Sequence, residues 1–343
     1  MKSVIVREHG GLDALLLEES PRPEPGPGEA RVKVQAVALN HLDVWVRRGV
    51  PGHTFPLPII PGCDISGTVD ALGPGADVGF AVGDPVLVAP GISCGACAAC
   101  SHGDDHLCRR YGILGETRNG GCAEYAVVPA ANLLSRPPSV TPGDGAALPL
   151  AFLTAWHMLV VRAAVRPGEA VLVHAGGSGV SSAAIQIARL LGARVYTTVG
   201  SDAKAERARA LGADEVINYR TQDFVKEIRR LTGKRGVDVV VDHVGPDTWE
   251  GSVRSLARSG RLVMCGSTTG FEVKTDPRLL FFKNLSLLGS TMGSRGELHD
   301  ILRLVGEGRL RPVVDAVLPM TEVAEGHRRL EAREVFGKIV LIP

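Results

Sequence analysis

From residue 170 to residue 266 the chain repeats one pattern: a short apolar, β-branched run followed by a polar segment whose apolar residues recur at helical spacing. The runs AVLVHA, ARVYTTV, DEVIN, VDVVVDHV and RLVMCG alternate with SSAAIQIARLLG, AKAERARALG, TQDFVKEIRRLTG and TWEGSVRSLARSG. Continuously apolar strands are buried on both faces, and joining two of them in parallel takes a crossover helix. The region is therefore restricted to βαβ units and a doubly wound parallel sheet. Up to about residue 150 the texture differs: ARVKVQAVAL, GCDISGTVDAL and GDPVLVAP are short apolar alternations broken by Gly and Pro, which predicts β-rich structure with turns. After LSLLGST, a helix ELHDILRLVGEG and a strand-like KIVLIP close the chain. With 343 residues and 45% hydrophobic side chains, two cores are expected rather than one.

The 38 basic and 37 acidic residues are interspersed, for a formal net charge of +1, which argues against a nucleic-acid or membrane-surface protein. No stretch reaches the roughly 20 apolar residues of a membrane span, and the N-terminal MKSVIVREHGGLDALLLEES has no apolar signal core. A cytoplasmic location is expected, where clustered cysteines are metal ligands more often than disulfides.

Between the first run and its helix lies HAGGSGVSSA, a small-residue turn suited to a pyrophosphate held by backbone N–H groups and a helix N-terminus. Gly176, Ser178 and Ser181 fit one frame of the dinucleotide fingerprint; Gly177, Gly179 and Ser182 fit the other. Position, after a strand and at the head of repeated strand–helix units, strengthens the match. Gly176, Gly177, Ser178, Gly179 and Val180 are the expected cofactor contacts, with Gly266 at the end of a later strand. His174 ends the first strand, with a packed and a cofactor-contacting role equally open.

An acid at the end of the second strand accepts the ribose 2′-OH of NAD. Here TTVGSDAK places Val199 and Gly200 at that point, followed by Ser201 and Lys204, a cation for a 2′-phosphate. NADP is expected over NAD, with Asp202 as the residue that opposes this.

These features, in this order, resemble the medium-chain dehydrogenase/reductase superfamily, the zinc alcohol dehydrogenases and their quinone oxidoreductase relatives. The resemblance runs along nearly the whole chain and is carried by VALNHLDVWVRRG, IIPGCDISGTVDALGPG, GGCAEYAVVPA, LPLAFLTAWHML, HAGGSGVSSAAIQIARLLGA, RALGADEVINY, the terminal GKIVL and a cysteine lobe, CGACAACSHGDDHLC. It implies a GroES-like β-rich catalytic domain over 1–151, an inserted Rossmann domain over 152–291, and a return to the first domain over 292–343. The lobe, about 92–112, has the Cys-x2-Cys-x2-Cys-x7-Cys spacing with which zinc members hold a structural zinc. Cys94, Cys97, Cys100 and Cys108 reproduce it, and four thiolates leave no position for a substrate. A disulfide pair or a metal-free lobe are the alternatives.

Members with a catalytic zinc take a Cys, a His beside a Glu, and a further Cys or carboxylate from three segments where this chain has Asn40, Cys63 with Asp64, and Leu150. Leucine cannot bind a metal and Asn is a poor zinc ligand, so catalysis without zinc is expected, with Cys63, Asp64 and His41 as the only improvised ligands. The resemblance then implies hydride transfer from NADPH to a quinone or an α,β-unsaturated carbonyl. A zinc-dependent alcohol dehydrogenase is the alternative. A protein that binds NADPH without turnover, or a redox or zinc sensor, is the alternative of another class; the first would consume no NADPH, the second would lose zinc reversibly on oxidation.

At the reacting centre Asn40 is expected to meet the substrate oxygen or the nicotinamide ribose, and His41 to relay a proton. Asp43 orients its loop or caps the following helix, and Cys63 is more often a buried filler than a nucleophile. Thr154 is expected to face the nicotinamide. Lys338 matches a basic residue that reaches the cofactor phosphates in relatives, with a solvent-facing lysine as the default. A small-molecule substrate and a homodimer or homotetramer are the expected partners, the latter through an edge strand in FFKNLSLLGST.

Overall fold

The structure, a computed structural model, describes all 343 residues, and the chain divides into two compact units. One comprises residues 1–151 and 294–343, the other residues 152–293, so the chain returns to the first unit two residues later than the sequence suggests.

The first unit is built on a seven-stranded sheet. Its central strands, Glu29–Ala38 and Asp64–Leu72, pair antiparallel, and the C-terminal strand Lys338–Ile342 pairs antiparallel with the end of the former. Ala38 lies opposite both Asp64 and Val340, and Leu39 N–H donates to the Ile339 carbonyl at 2.9 Å. This register brings Asn40, the start of one strand at Asp64 and the start of another at Lys338 to the same end of the sheet. Alternate side chains fill the core beneath, including Val32, Val34, Ile65, Val69, Val86 and Ile339.

The second unit carries six parallel strands in the spatial order Glu215–Asn218, Arg194–Val199, Ala170–Val173, Val237–Asp242, Leu256–Met264 and Ser286–Gly289. The order reverses beside Ala170–Val173, so the crevice beyond the ends of this strand and of Val237–Asp242 is the topological switch point where such sheets bind ligands. Side-chain caps start the helices: Ser178 accepts from Ser181 N–H, Ser201 from Lys204 N–H, and Asp223 from Val225 and Lys226 N–H.

One helix ends earlier than its spacing predicts. TWEGSVRSLARSG is helical only to Ser255, and the strand Leu256–Met264 begins at once. Leu256 and Ala257 are buried, Leu256 pairs with Val237, and Ser259 takes a left-handed φ of 60°; burial in the sheet overrides helical propensity. The strand predicted in FFKNLSLLGST is Ser286–Gly289, at the end of the sheet, preceded by a helix with Phe281 and Phe282 62% and 66% exposed. No helix is long and apolar enough to cross a membrane.

Candidate functional site

The cysteine lobe gathers Cys94, Cys97, Cys100 and Cys108 so that their ligand atoms all lie within 4.8 Å of one another. Cys94 Sγ is 3.9 Å and Cys97 Sγ 3.5 Å from Cys100 Sγ. Four thiolates about 2.3 Å from one zinc stand roughly 3.8 Å apart, so the cage fits a tetrahedral zinc. Backbone N–H groups already aim at the sulfurs: Cys97 N–H at Cys94 Sγ (3.3 Å), Arg110 N–H at Cys108 Sγ (3.3 Å) and Cys94 N–H at Cys108 Sγ (3.5 Å). Bonding from the Ala96 backbone and the Arg110 side chain holds the Cys94 thiol down at about 5, whereas the neighbouring cysteine sulfurs, with no cation between them, push the Cys97 thiol up to about 11. Such a site supplies folding energy rather than chemistry.

The second cluster stands at the end of the seven-stranded sheet. Asp64 is fully buried; its Oδ1 accepts Leu150 N–H at 2.8 Å, and its Oδ2 accepts Asn40 Nδ2 and Lys338 Nζ, each at 2.9 Å. Lys338, 4% exposed, also donates to Asn40 Oδ1. Asn40 Nδ2 lies 3.4 Å from Cys63 Sγ and from the Ala38 carbonyl. Burial pushes the Cys63 thiol well above its ordinary value, which favours its neutral form. The Asp43 carboxylate accepts Asn40 N–H at 2.7 Å and Gly62 N–H at 2.9 Å, tying the two segments of the pocket together; burial raises it to about 6.

This pocket does not fit a catalytic zinc. Leu150 contributes only its backbone N–H and packs its side chain on the core. Asp64, the one firm oxygen ligand, is neutralised by an ammonium, and Cys63, Asp64 and His41 do not form a metal-holding group. His41 opens the helix His41–Arg48 and stacks edge-on against Trp45, with ring centroids 5.3 Å apart. Lys338 is not solvent-facing, the default for an isolated lysine: Asp64 and Asn40 hold its ammonium inside the sheet end.

In the second unit, the turn after Ala170–Val173 is shaped for close approach. A Cβ at Gly176 would stand 2.4 Å from Thr197 Oγ1, and Ala175 holds a left-handed φ of 49°, a conformation side chains disfavour and sites retain. Ser178 Oγ, the cap of helix Gly179–Leu190, lies 3.0 Å from His243 Nε2, and Ser181 Oγ lies 2.9 Å from the same nitrogen while donating to the His174 carbonyl. His174 takes the packed alternative: its ring bonds Thr198 Oγ1 and Ser252 Oγ, and burial pulls it down to about 4. Thr154 is 5% exposed in the helix Pro149–Trp156, and Gly266 follows the strand Leu256–Met264.

At the end of the second strand, Ser201 caps the helix Asp202–Ala210 that carries Lys204, and Asp202 Oδ1 accepts Asn218 Nδ2 at 2.9 Å. A Cβ at Gly200 would lie 2.5 Å from Tyr219 Oη and 3.6 Å from Arg220 Nε. Tyr219, Arg220 and His243 were not singled out by the sequence. All three follow the C-terminal ends of parallel strands, where ligand contacts concentrate, and that rule could have found them.

Two family models match the chain: the alcohol dehydrogenase GroES-like domain over residues 26–138 and the zinc-binding dehydrogenase domain over 179–307. A 2-haloacrylate reductase from Burkholderia sp is 31% identical over 99% of this chain and 98% of its own length. The chain belongs to the medium-chain dehydrogenase/reductase superfamily. Like its relatives there, it is an oxidoreductase. The quinone oxidoreductase of Homo sapiens is 28% identical over 100% of this chain and 98% of its own. A solved structure described as an NAD-dependent alcohol dehydrogenase is 54% identical, covers both chains fully and superposes with a TM-score of 0.96.

Proposed function

We propose that this oxidoreductase transfers hydride from NADPH to a quinone or an α,β-unsaturated carbonyl, with zinc in the cysteine lobe as a structural element and none at the reacting centre. The observation that carries this reading is the Lys338–Asp64 ion pair, 2.9 Å long, among the residues that replace the zinc ligands of other members. An isolated ketone needs a Lewis acid for its developing alkoxide, whereas charge delivered to an enone or quinone spreads over a conjugated system and hydrogen bonds suffice. The reduced nicotinamide supplies the hydride; the chain binds it at the Gly176–Val180 turn and orients it. The printed names of two relatives, a quinone oxidoreductase and a 2-haloacrylate reductase, agree with this substrate class. NADPH consumption screened over quinones, enones, enoyl thioesters, aldehydes and alcohols tests it; turnover confined to alcohols and aldehydes would reject it. The second reading, an alcohol dehydrogenase, draws on the printed name of the 54% identical structure.

NADPH is favoured over NADH because Arg220 stands beside Gly200, Lys204 lies in the first turn of the helix that follows, and Asp202, the acid that would oppose this, bonds Asn218. Lys204→Ala and Arg220→Ala should each weaken NADPH binding by about tenfold, a loss of one charge-assisted bond, and leave NADH nearly unchanged. Equal losses for both cofactors would show that neither residue reads the 2′ position. The exposed Phe281 and Phe282 before the edge strand support a homo-oligomer, which light scattering at micromolar concentration tests.

A further inference from the structure

The hydrogens around the small-residue turn of the second unit can be assigned one by one, because two of the bonds there end on groups that only accept. Ser252 Oγ–H donates to the Asp242 carboxylate at 2.9 Å, so His174 Nε2, 2.9 Å from the same Oγ, carries a hydrogen. Burial keeps His174 neutral, and its Nδ1 therefore accepts Thr198 Oγ1–H at 3.1 Å, while Thr198 Oγ1 accepts Ala175 N–H. One directed chain thus ties the start of the turn to a buried carboxylate. At the other end, Ser181 Oγ–H donates to the His174 carbonyl at 2.6 Å, so His243 Nε2, 2.9 Å from that Oγ, can only donate to it. A ring nitrogen that carries a hydrogen accepts nothing. The 3.0 Å contact of His243 Nε2 with Ser178 Oγ is therefore a second branch of the same donor, and Ser178 Oγ also accepts Ser181 N–H at 3.0 Å. Both lone pairs of Ser178 are filled, and its own hydrogen has no protein acceptor. Ser178 is half-buried, as are Gly179 and Val180, whose backbone N–H groups open the helix.

We propose that His243 is a positioning residue for cofactor binding: by donating Nε2–H to Ser178 and Ser181 it leaves the Ser178 hydroxyl hydrogen a single use, a bond to a pyrophosphate oxygen of the dinucleotide. The inference rests on the reading above that this turn binds the cofactor. His243 acts through Ser178 and does not itself hold the phosphate. The opposite tautomer would undo the arrangement, because an accepting Nε2 would take the Ser178 hydrogen for itself and face a lone pair on Ser181 Oγ. Burial lowers the pKa of His243, which keeps the ring neutral and makes the choice of tautomer decisive. A hydroxyl already aimed need not be reordered when the ligand arrives, and a hydrogen bond to an anionic oxygen is about twice as strong as one between neutral groups. The pyrophosphate is common to NADPH and NADH, so His243 should matter equally to both, unlike Lys204 and Arg220.

The test measures Kd for NADPH and NADH by nicotinamide fluorescence in wild type, Ser178→Ala, His243→Leu, His243→Gln and the double variant Ser178→Ala with His243→Leu. Ser178→Ala and His243→Leu should each weaken both cofactors by about tenfold, the loss of one charge-assisted bond. The double variant should be no more than about twofold worse than either, because both changes remove the same bond. His243→Gln, whose amide can donate from a similar position, should return Kd to within about threefold of wild type. A nitrogen-15 spectrum of histidine-labelled wild type supplies a readout that needs no variant: at neutral pH the His243 signal should show hydrogen on Nε2 and none on Nδ1. A bare Nε2 overturns the proposal even if His243→Leu fails to fold. So do additive losses in the double variant, or a folded His243→Leu that binds both cofactors as wild type does. If wild type binds neither NADPH nor NADH, the cofactor reading fails first and the proposal falls with it; if wild type binds and the His243 variants are unaffected, the proposal alone fails.

Discussion

The cysteine lobe and the pocket around Lys338 are the two places where members of this superfamily hold zinc, and in this chain they have diverged in opposite directions. The lobe keeps four thiolates within 4.8 Å of one another, with backbone N–H groups aimed at the sulfurs. The pocket has an amide, a neutral thiol, a leucine and a carboxylate already paired with an ammonium. A closed tetrahedron of soft ligands has a structural task that any fold can reuse, whereas an open catalytic site is kept only while its chemistry is needed. The contrast shows that zinc in a chain of this kind is two separate questions, and that the answer at one site carries nothing over to the other.

The largest effect expected on this contrast comes from the lobe. Metal analysis should find about one zinc per chain, and Cys97→Ser or chelation should remove it and lower Tm on the order of 10 °C, because metal binding to a closed thiolate cage is folding free energy. Turnover measured before unfolding should survive. Two zinc ions per chain would break the comparison at once.

Next in size is Asp64→Ala, which leaves the Lys338 ammonium buried at 4% exposure without its carboxylate. Removing one partner of a buried pair costs about 3–5 kcal/mol, so denaturant unfolding should show a loss of that order with zinc content unchanged. A loss under about 1 kcal/mol would mean that the pair is solvated in solution and the pocket open. Cys63→Ser gives a smaller effect of the same kind: zinc content should stay as in wild type, and a variant that loses zinc and activity together would make Cys63 a catalytic ligand.

The smallest effect is a pH dependence. Burial raises Asp43 to about 6 in the folded chain, above the roughly 3.9 of an exposed aspartate. A carboxyl whose folded value is raised stabilises the fold below its unfolded value, and that contribution disappears as pH rises through 6. Between pH 4 and 7 wild type should therefore lose on the order of 2 kcal/mol relative to Asp43→Asn, measured as the difference between their unfolding free energies. Parallel pH profiles would show that Asp43 is ionised throughout, held by its two backbone donors.

Much of the molecule was legible before any coordinates. Apolar period and turn residues marked every strand of the parallel sheet, and the spacing of Cys94, Cys97, Cys100 and Cys108 specified the cage, because those four ligands lie within fifteen residues and a loop can close on itself. The setting of Lys338 was not legible. Its partners Asn40 and Asp64 are 298 and 274 residues away in the chain, and only antiparallel pairing of the last strand with the end of Glu29–Ala38 makes them neighbours. In the same way His243 meets Ser178 and Ser181 from 65 and 62 residues away, across parallel strands. The helix ending at Ser255 instead of Gly260 has the same origin, since a sheet position buried Leu256.

By itself, then, the sequence determined what depends on local period and short-range spacing: the two architectures, the small-residue turn between the first parallel strand and its helix, and the thiolate cage. Which groups would share a pocket was decided by strand order and register, because hydrogen bonds between distant segments bring together side chains whose separation along the chain carries no trace of the contact. An isolated lysine in GKIVL reads as solvent-facing on composition alone. Buried at the end of a sheet, the same residue pairs with a carboxylate fully removed from water.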